Sequence, residues 1–154
     1  MNKYLKLFTF FFFISLSSLG GAMSLFKEKC LFSSVDGIIL DSGKPVKGVE
    51  VEQYYNWQGP DKSNKKLVKT DNEGRFHFPA IYDNSVLSTI FPHNPSIQQE
   101  INIRYKERSY EGYLLMKGNY DEKGELDGQA IHLICDLQNE PSRDGGFYGI
   151  CTLQ

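Results

Sequence analysis

The stretch "DSGKPVKGVEVEQYYNWQG", residues 41–59, admits two readings, a piece of a phosphate loop or a tight turn feeding a strand. A phosphate loop requires G-x-x-x-x-G-K-[ST] followed by a helix whose N-terminal amides face the phosphates. Here Gly43-Lys44 is followed by Pro45, and no glycine stands upstream at the required spacing. From Val49 the odd positions Val49, Val51, Tyr55 and Trp57 are apolar or aromatic, with only Gln53 breaking the series, while Glu50, Glu52 and Asn56 are polar. That period of two belongs to a half-buried strand. The Gly-Lys pair is a turn, and Pro45 sits at a strand's first residue, where a missing N–H costs little.

The same alternation returns at Phe76 and Phe78, at Ile101, Ile103 and Tyr105, and at Ile131, Leu133, Cys135 and Leu137. Turn chemistry separates these runs. "DSGKP" at 41–45, "DNEG" at 71–74 and "DEKG" at 121–124 each begin with Asp, whose side chain can accept a bond from the backbone two residues on, and each carries Gly at the third or fourth position, where positive φ is tolerated. Such punctuation fits antiparallel hairpins. In "DNSVLSTIFPHNP", residues 83–95, Val86, Leu87, Ile90 and Phe91 share one helical face, Asp83, Asn84 or Ser85 can cap the start, and Pro92 ends it. The chain is thus expected to be all-β, a single antiparallel sandwich of about seven strands with one short helix around residues 84–91. At 154 residues, 40% hydrophobic and 14% aromatic, it has enough apolar material for one packed core.

Residues 1–22 read as an export signal: Lys3 and Lys6 begin it, Leu7 to Leu16 is an apolar run, and Gly20, Gly21 and Ala22 offer a small-residue cleavage site. The domain then occupies residues 23–154, and no stable membrane span remains after cleavage, because no later run approaches the roughly 20 residues a bilayer demands. A start at Met23 would instead make the protein cytoplasmic. Removing residues 1–22 takes away two lysines and no acid, leaving 15 basic against 19 acidic residues, a net charge of −4. That balance argues against a nucleic-acid partner. In an oxidising compartment, three cysteines imply one disulfide and a leftover thiol. Cys135 with Cys151 is favoured because both lie in the C-terminal segment, with Cys30 and Cys151 the alternative.

The series "VDGIILDSGKPVKGVEVEQ", residues 35–53, followed by "TDNEGRFHFPAI", residues 70–81, resembles the carboxypeptidase regulatory-like domains, also described as transthyretin-like or prealbumin-like sandwiches. Further along, "CLFS" at 30–33, "LSTIFPHNP" at 87–95, "CDL" at 135–137 and "GGFYGICT" at 145–152 resemble an uncharacterised bacterial family of that same fold. The resemblance implies a sandwich in a bacterial envelope or cytoplasmic setting and no established activity. One enzyme family of similar architecture, the 5-hydroxyisourate hydrolases, ends in Tyr-Arg-Gly-Ser; this chain ends "GGFYGICTLQ".

No catalytic pattern emerges from the residues. His77 and His132 alternate with core residues and are expected at a sheet surface, and His93, between Pro92 and Pro95, has no G-x-S-x-G elbow with it. A small hydrolase centred on His93 with Asp83 or a cysteine is the enzymatic alternative. Acidic residues such as Asp121, Glu122 and Asp127 lack the register of a calcium loop, so no metal and no cofactor are expected. Surplus aromatics are the best hint of binding, since exposed Tyr and Trp are preferred interface anchors. The expected binding residues are Tyr54, Trp57, His93, Phe147 and Tyr148. The overall expectation is a periplasmic or secreted, non-enzymatic module with a protein partner in the envelope, or alternatively an immunity or accessory protein for a secreted toxin.

Overall fold

A computed structural model of the chain describes residues 28–57, 63–83 and 95–154. The signal peptide of residues 1–22, the start at Met23, the helix at 84–91 and His93 lie outside the described residues. Within them every regular element is a strand. In chain order these are β1 (Lys29–Phe32), β2 (Val35–Asp41), β3 (Lys44–Pro45), β4 (Glu50–Trp57), β5 (Ser63–Lys69), β6 (Arg75–Phe78) and β7 (Ile81–Asp83). There follow β8 (Ile97–Tyr105), β9 (Arg108–Lys117), β10 (Ile131–Asp136), β11 (Ser142–Asp144), β12 (Phe147–Gly149) and β13 (Cys151–Leu153). The described residues therefore hold thirteen strand segments where about seven were expected. Several are two or three residues long, too short for a periodicity of two to register in sequence.

The alternation read from the sequence builds the core directly. Ile131, Leu133 and Cys135 of β10 and Phe76 and Phe78 of β6 point inward, as do Val51 of β4 and Ile101 and Ile103 of β8. These residues come from two sheets that share one buried cluster. One sheet runs β11-β12-β9-β8-β4-β5 and is antiparallel throughout; the other runs β13-β10-β2-β3, with β6 pairing the first half of β2. β1 and β7 form a separate two-stranded ribbon. The "DSGKP" turn joins β2 to β3 with Ser42 and Gly43 both at positive φ, and Asp136 accepts their two N–H groups at 3.1 and 2.7 Å.

A wholly antiparallel architecture is corrected by one pairing. β2 and β10 run parallel, from Val35 opposite Ile131 to Leu40 opposite Asp136. The hairpin signals in the sequence concern neighbours in the chain, whereas these strands are separated by nearly the whole domain, and a parallel pair carries no turn signature.

Two irregularities shape the six-stranded sheet. Ile101 stands opposite Tyr113 and Asn102 opposite Glu111, so Gly112 is an extra residue, a β-bulge. The bulge lets Tyr110 and Tyr113, three residues apart, both reach the core, where Tyr113 stacks against Phe147 with ring centroids 4.9 Å apart. β12 then docks onto the bulge: Ile150 N–H donates to the Glu111 carbonyl at 2.9 Å, and Gly149, at φ 151°, lies so close to Gly112 that any Cβ would collide with its carbonyl.

The chain then changes sheets. β12 pairs with β9 in the six-stranded sheet, Ile150 is buried, and β13 pairs with β10 in the other sheet. Cys151 lies directly opposite Cys135 and the two are joined by a disulfide across 16 residues of sequence. Cys30 is free and buried. Closing a loop of that length is worth about 3 kcal/mol. Alkylation of the folded, unreduced protein is therefore expected to modify no thiol, and alkylation after unfolding to modify Cys30 alone, as read by intact mass; two or three modified thiols would refute the pairing. Gly149→Ala is expected to cost about 2 kcal/mol or more, read from the urea midpoint, because backbone rather than a movable side chain occupies the space.

Candidate binding face on the six-stranded sheet

The strand period that turns Val49, Val51 and Trp57 inward turns Glu50, Glu52, Tyr54 and Asn56 to the opposite face of the six-stranded sheet. Cross-strand register then lines up one transverse row: Lys65 of β5, Tyr54 of β4, Glu100 of β8, Leu114 of β9, Tyr148 of β12 and Arg143 of β11. Two of the expected binding residues, Tyr54 and Tyr148, are thereby brought onto one face, both half-buried. Three strand spacings separate them, about 14 Å. Met116, 60% exposed, and Leu67, 47% exposed, add apolar surface in adjacent rows.

Polar side chains on this face hold one another in place. Glu100 accepts from Gln98 Nε2 at 2.6 Å and from Asn102 Nδ2 at 3.0 Å, two positions up and down the same strand. Arg104 Nη2 pairs with Glu50 at 2.8 Å and reaches Glu52 at 3.7 Å, and Lys65 Nζ approaches Glu52 from the other side at 3.8 Å. A shallow hollow of about 590 Å³ opens over Glu52, Lys65, Asn102 and Arg104. The surface is thus a pre-ordered array of carboxylates and amides with Tyr54 and Tyr148 among them.

Trp57 and Phe147 do not belong to that face. They are 1% and 0% exposed, so their expected role as surface anchors is corrected to core packing. Tyr148, next to Phe147, and Tyr54, three positions before Trp57, took the outer side, because residues an odd number of positions apart in a strand point to opposite faces, whereas Tyr55 shares the inward phase of Trp57. Trp57 donates from Nε1 to Tyr120 Oη at 3.2 Å, meets that ring edge-on, and has Lys29 Nζ 5.7 Å from its centroid.

A second cluster was not anticipated. Lys117 Nζ and Glu125 Oε1 form an ion pair of 2.9 Å with neither side chain exposed. Glu125 also accepts from Ser33 N–H at 3.0 Å, Ser33 Oγ at 2.7 Å and Gln99 Nε2 at 2.8 Å, and Lys117 donates to the Asp121 carbonyl at 2.7 Å. Burial pushes the Glu125 carboxyl up, but the hydrogen bonds from Gln99, Ser33 and Lys117 outweigh it and hold the carboxyl below its ordinary range. Ser33 Oγ donates to this carboxylate and accepts from Lys123 N–H at 2.7 Å, so the hydroxyl ties residues 123 and 125 together. Burial raises the Cys30 thiol, 3.7 Å from Ser33 Oγ, against the lowering effects of that contact and of Lys117. The cluster pins residues 118–130 onto β1 and β8. Its one legible trace is that Tyr113, Leu115 and Lys117 share the inward phase of β9.

On the outer face of the other sheet Asp36 lies in register between His77 and His132, and His77 Nδ1 is 2.8 Å from Asp36 Oδ1. Among the described residues no three His, Cys, Asp or Glu side chains converge to hold a metal ion, and no helix is long and apolar enough to cross a membrane. Asp83, proposed as a partner of His93, ends β7.

The described residues define an all-β domain in which two sheets share the main buried cluster, a two-stranded ribbon accompanies them, and a disulfide links two strands of one sheet. By its sequence the chain belongs to the family described as domain of unknown function (DUF6795), whose model matches residues 35–140, from the start of β2 to beyond β10. No curated protein and no solved structure matches the chain.

Lys117→Met leaves a buried carboxylate without its cation and is expected to cost about 3–5 kcal/mol in urea denaturation, with much of the loss recovered in Lys117→Met/Glu125→Leu. Because Glu125 holds a proton less readily folded than unfolded, its stabilising contribution is complete above the unfolded pKa of about 4.3 and is lost as pH falls through the lower folded value. The acid limb of the stability profile should therefore flatten in Glu125→Gln.

Proposed function

We propose that the protein is an exported, non-enzymatic binding module of the bacterial envelope, a transthyretin-like sandwich that engages a protein partner through the outer face of its six-stranded sheet. The observation that carries this reading is the cross-strand row that sets Tyr54 and Tyr148 on one surface, three strands apart, with Leu114 between them. Half-buried tyrosines need little further ordering on contact, which is why such residues concentrate binding energy at interfaces. The Cys135–Cys151 disulfide supports an oxidising location, since structural disulfides persist outside the cytoplasm and are rare within it.

The test is crosslinking capture of a partner from native envelope, followed by affinity measurement on the purified pair. Tyr54→Ala and Tyr148→Ala are each expected to weaken it by roughly thirtyfold, the scale of an interface anchor worth about 2 kcal/mol. Both variants should keep the wild-type urea midpoint within about 1 kcal/mol, because neither side chain is core. Recovery of no protein together with saturable binding of a defined glycan would overturn the reading, and mature protein found only in the cytosol with three free thiols would overturn the location.

A further inference from the structure

β5 is the last strand of the six-stranded sheet, and among the described residues only one of its edges is paired. The phase of that pairing is set where Thr70 N–H donates to the Val49 carbonyl at 3.0 Å. Counting back in twos along an antiparallel ladder, Val68, Lys66 and Asn64 turn their N–H and C=O groups toward β4, whereas Lys69, Leu67 and Lys65 turn theirs to the open edge. The Lys65 N–H fits this phase, since it is met by its neighbour's Asn64 Oδ1 at 2.7 Å rather than by β4. Leu67 and Lys69 then present two donors and two acceptors to an incoming chain.

The side chains of the same three residues stand on the outer face, continuing the rows of Glu50, Glu52 and Tyr54. They read basic, apolar, basic: Leu67 is 47% exposed between Lys65 and Lys69. Lys66 on the other side of the strand and Lys69 have no ion-pair partner among the described residues, and Lys65 touches Glu52 only at 3.8 Å. Lysines along an edge disfavour pairing with a second copy of the same strand, because like charges would face each other across the new ladder. They favour a strand of opposite charge.

We propose that the open edge of β5 is a strand-addition site for an extended segment of the protein partner with the pattern acidic-x-apolar-x-acidic, its apolar residue beside Leu67 and its acids beside Lys65 and Lys69. This rests on the protein-partner reading above and supplies that partner's chemistry. Backbone bonds to Leu67 and Lys69 give affinity, and the alternate side chains give the choice of sequence.

The test is fluorescence anisotropy on the disulfide-bonded chain with a labelled, end-capped peptide containing Glu-Thr-Val-Thr-Glu. Saturable binding that weakens with added salt is expected, together with loss on N-methylation of the peptide's valine, which removes a backbone donor and keeps every charge. Lys65→Glu/Lys69→Glu should lose about tenfold, the sum of two or three cross-strand pairs, and should prefer a Lys-Thr-Val-Thr-Lys peptide instead. Leu67→Pro deletes an edge donor that β4 does not use; it should keep the near-ultraviolet signal of buried Trp57 and lose the peptide. Equal binding of the N-methylated peptide, or no saturation by the acidic one, would overturn the proposal. If Tyr54→Ala and Tyr148→Ala abolish partner capture while Lys65→Glu/Lys69→Glu leaves it intact, the binding face stands and the edge site falls.

Discussion

The C-terminal crossover, locked by the Cys135–Cys151 disulfide, is the constraint on which the two-sheet arrangement depends. Within seven residues the chain pairs with β9 in one sheet, passes through buried Ile150 and pairs with β10 in the other. The covalent bond removes freedom from the unfolded chain at the place where the two sheets meet. Tyr148 lies on β12, three residues before Cys151, so its position in the row with Tyr54 is set by the same crossover. The bulge at Gly112 and the bare backbone of Gly149 let that strand approach closely enough to pair.

At another place the fold is held by charge. Lys117 and Glu125 are wholly buried, and the carboxylate is saturated by Ser33, Gln99 and the ammonium. Removing two charges from water costs several kcal/mol per ion, so the pair is not by itself a source of net stability. Each partner is instead intolerable alone, which gives residues 118–130 one docking geometry against β1. The same network fixes the Ser33 hydroxyl and the Lys117 ammonium, and burial raises the Cys30 thiol beside them. Polar atoms open to another molecule lie on the outer face of the six-stranded sheet and along its β5 edge, as well as at Asp36, His77 and His132 on the other sheet.

The legible part of the fold was the part written in local periods. Alternation at Val49–Trp57, Phe76–Phe78, Ile101–Tyr105 and Ile131–Leu137 foretold strands, and the Asp-led turns foretold the breaks between them. Three-residue strands such as β11, β12 and β13 were not legible, because each contains too few positions to show a period. Nor was the parallel pairing of β2 with β10, which has no connecting turn to announce it.

By itself the sequence determined an all-β chain and its turns, since strand period and turn residues are local properties, whereas the choice between Cys135–Cys151 and Cys30–Cys151 was made by the register of β10 against β13. Only the tertiary structure decided that Tyr54 faces outward and Trp57 inward, that Tyr148 faces outward and Phe147 inward, and that Lys117 meets Glu125. A period of two says that neighbours point to opposite faces but not which face meets the core. That choice is made by register between strands distant in the chain, and the row from Lys65 to Arg143 exists in no stretch of the sequence, only across six strands at once.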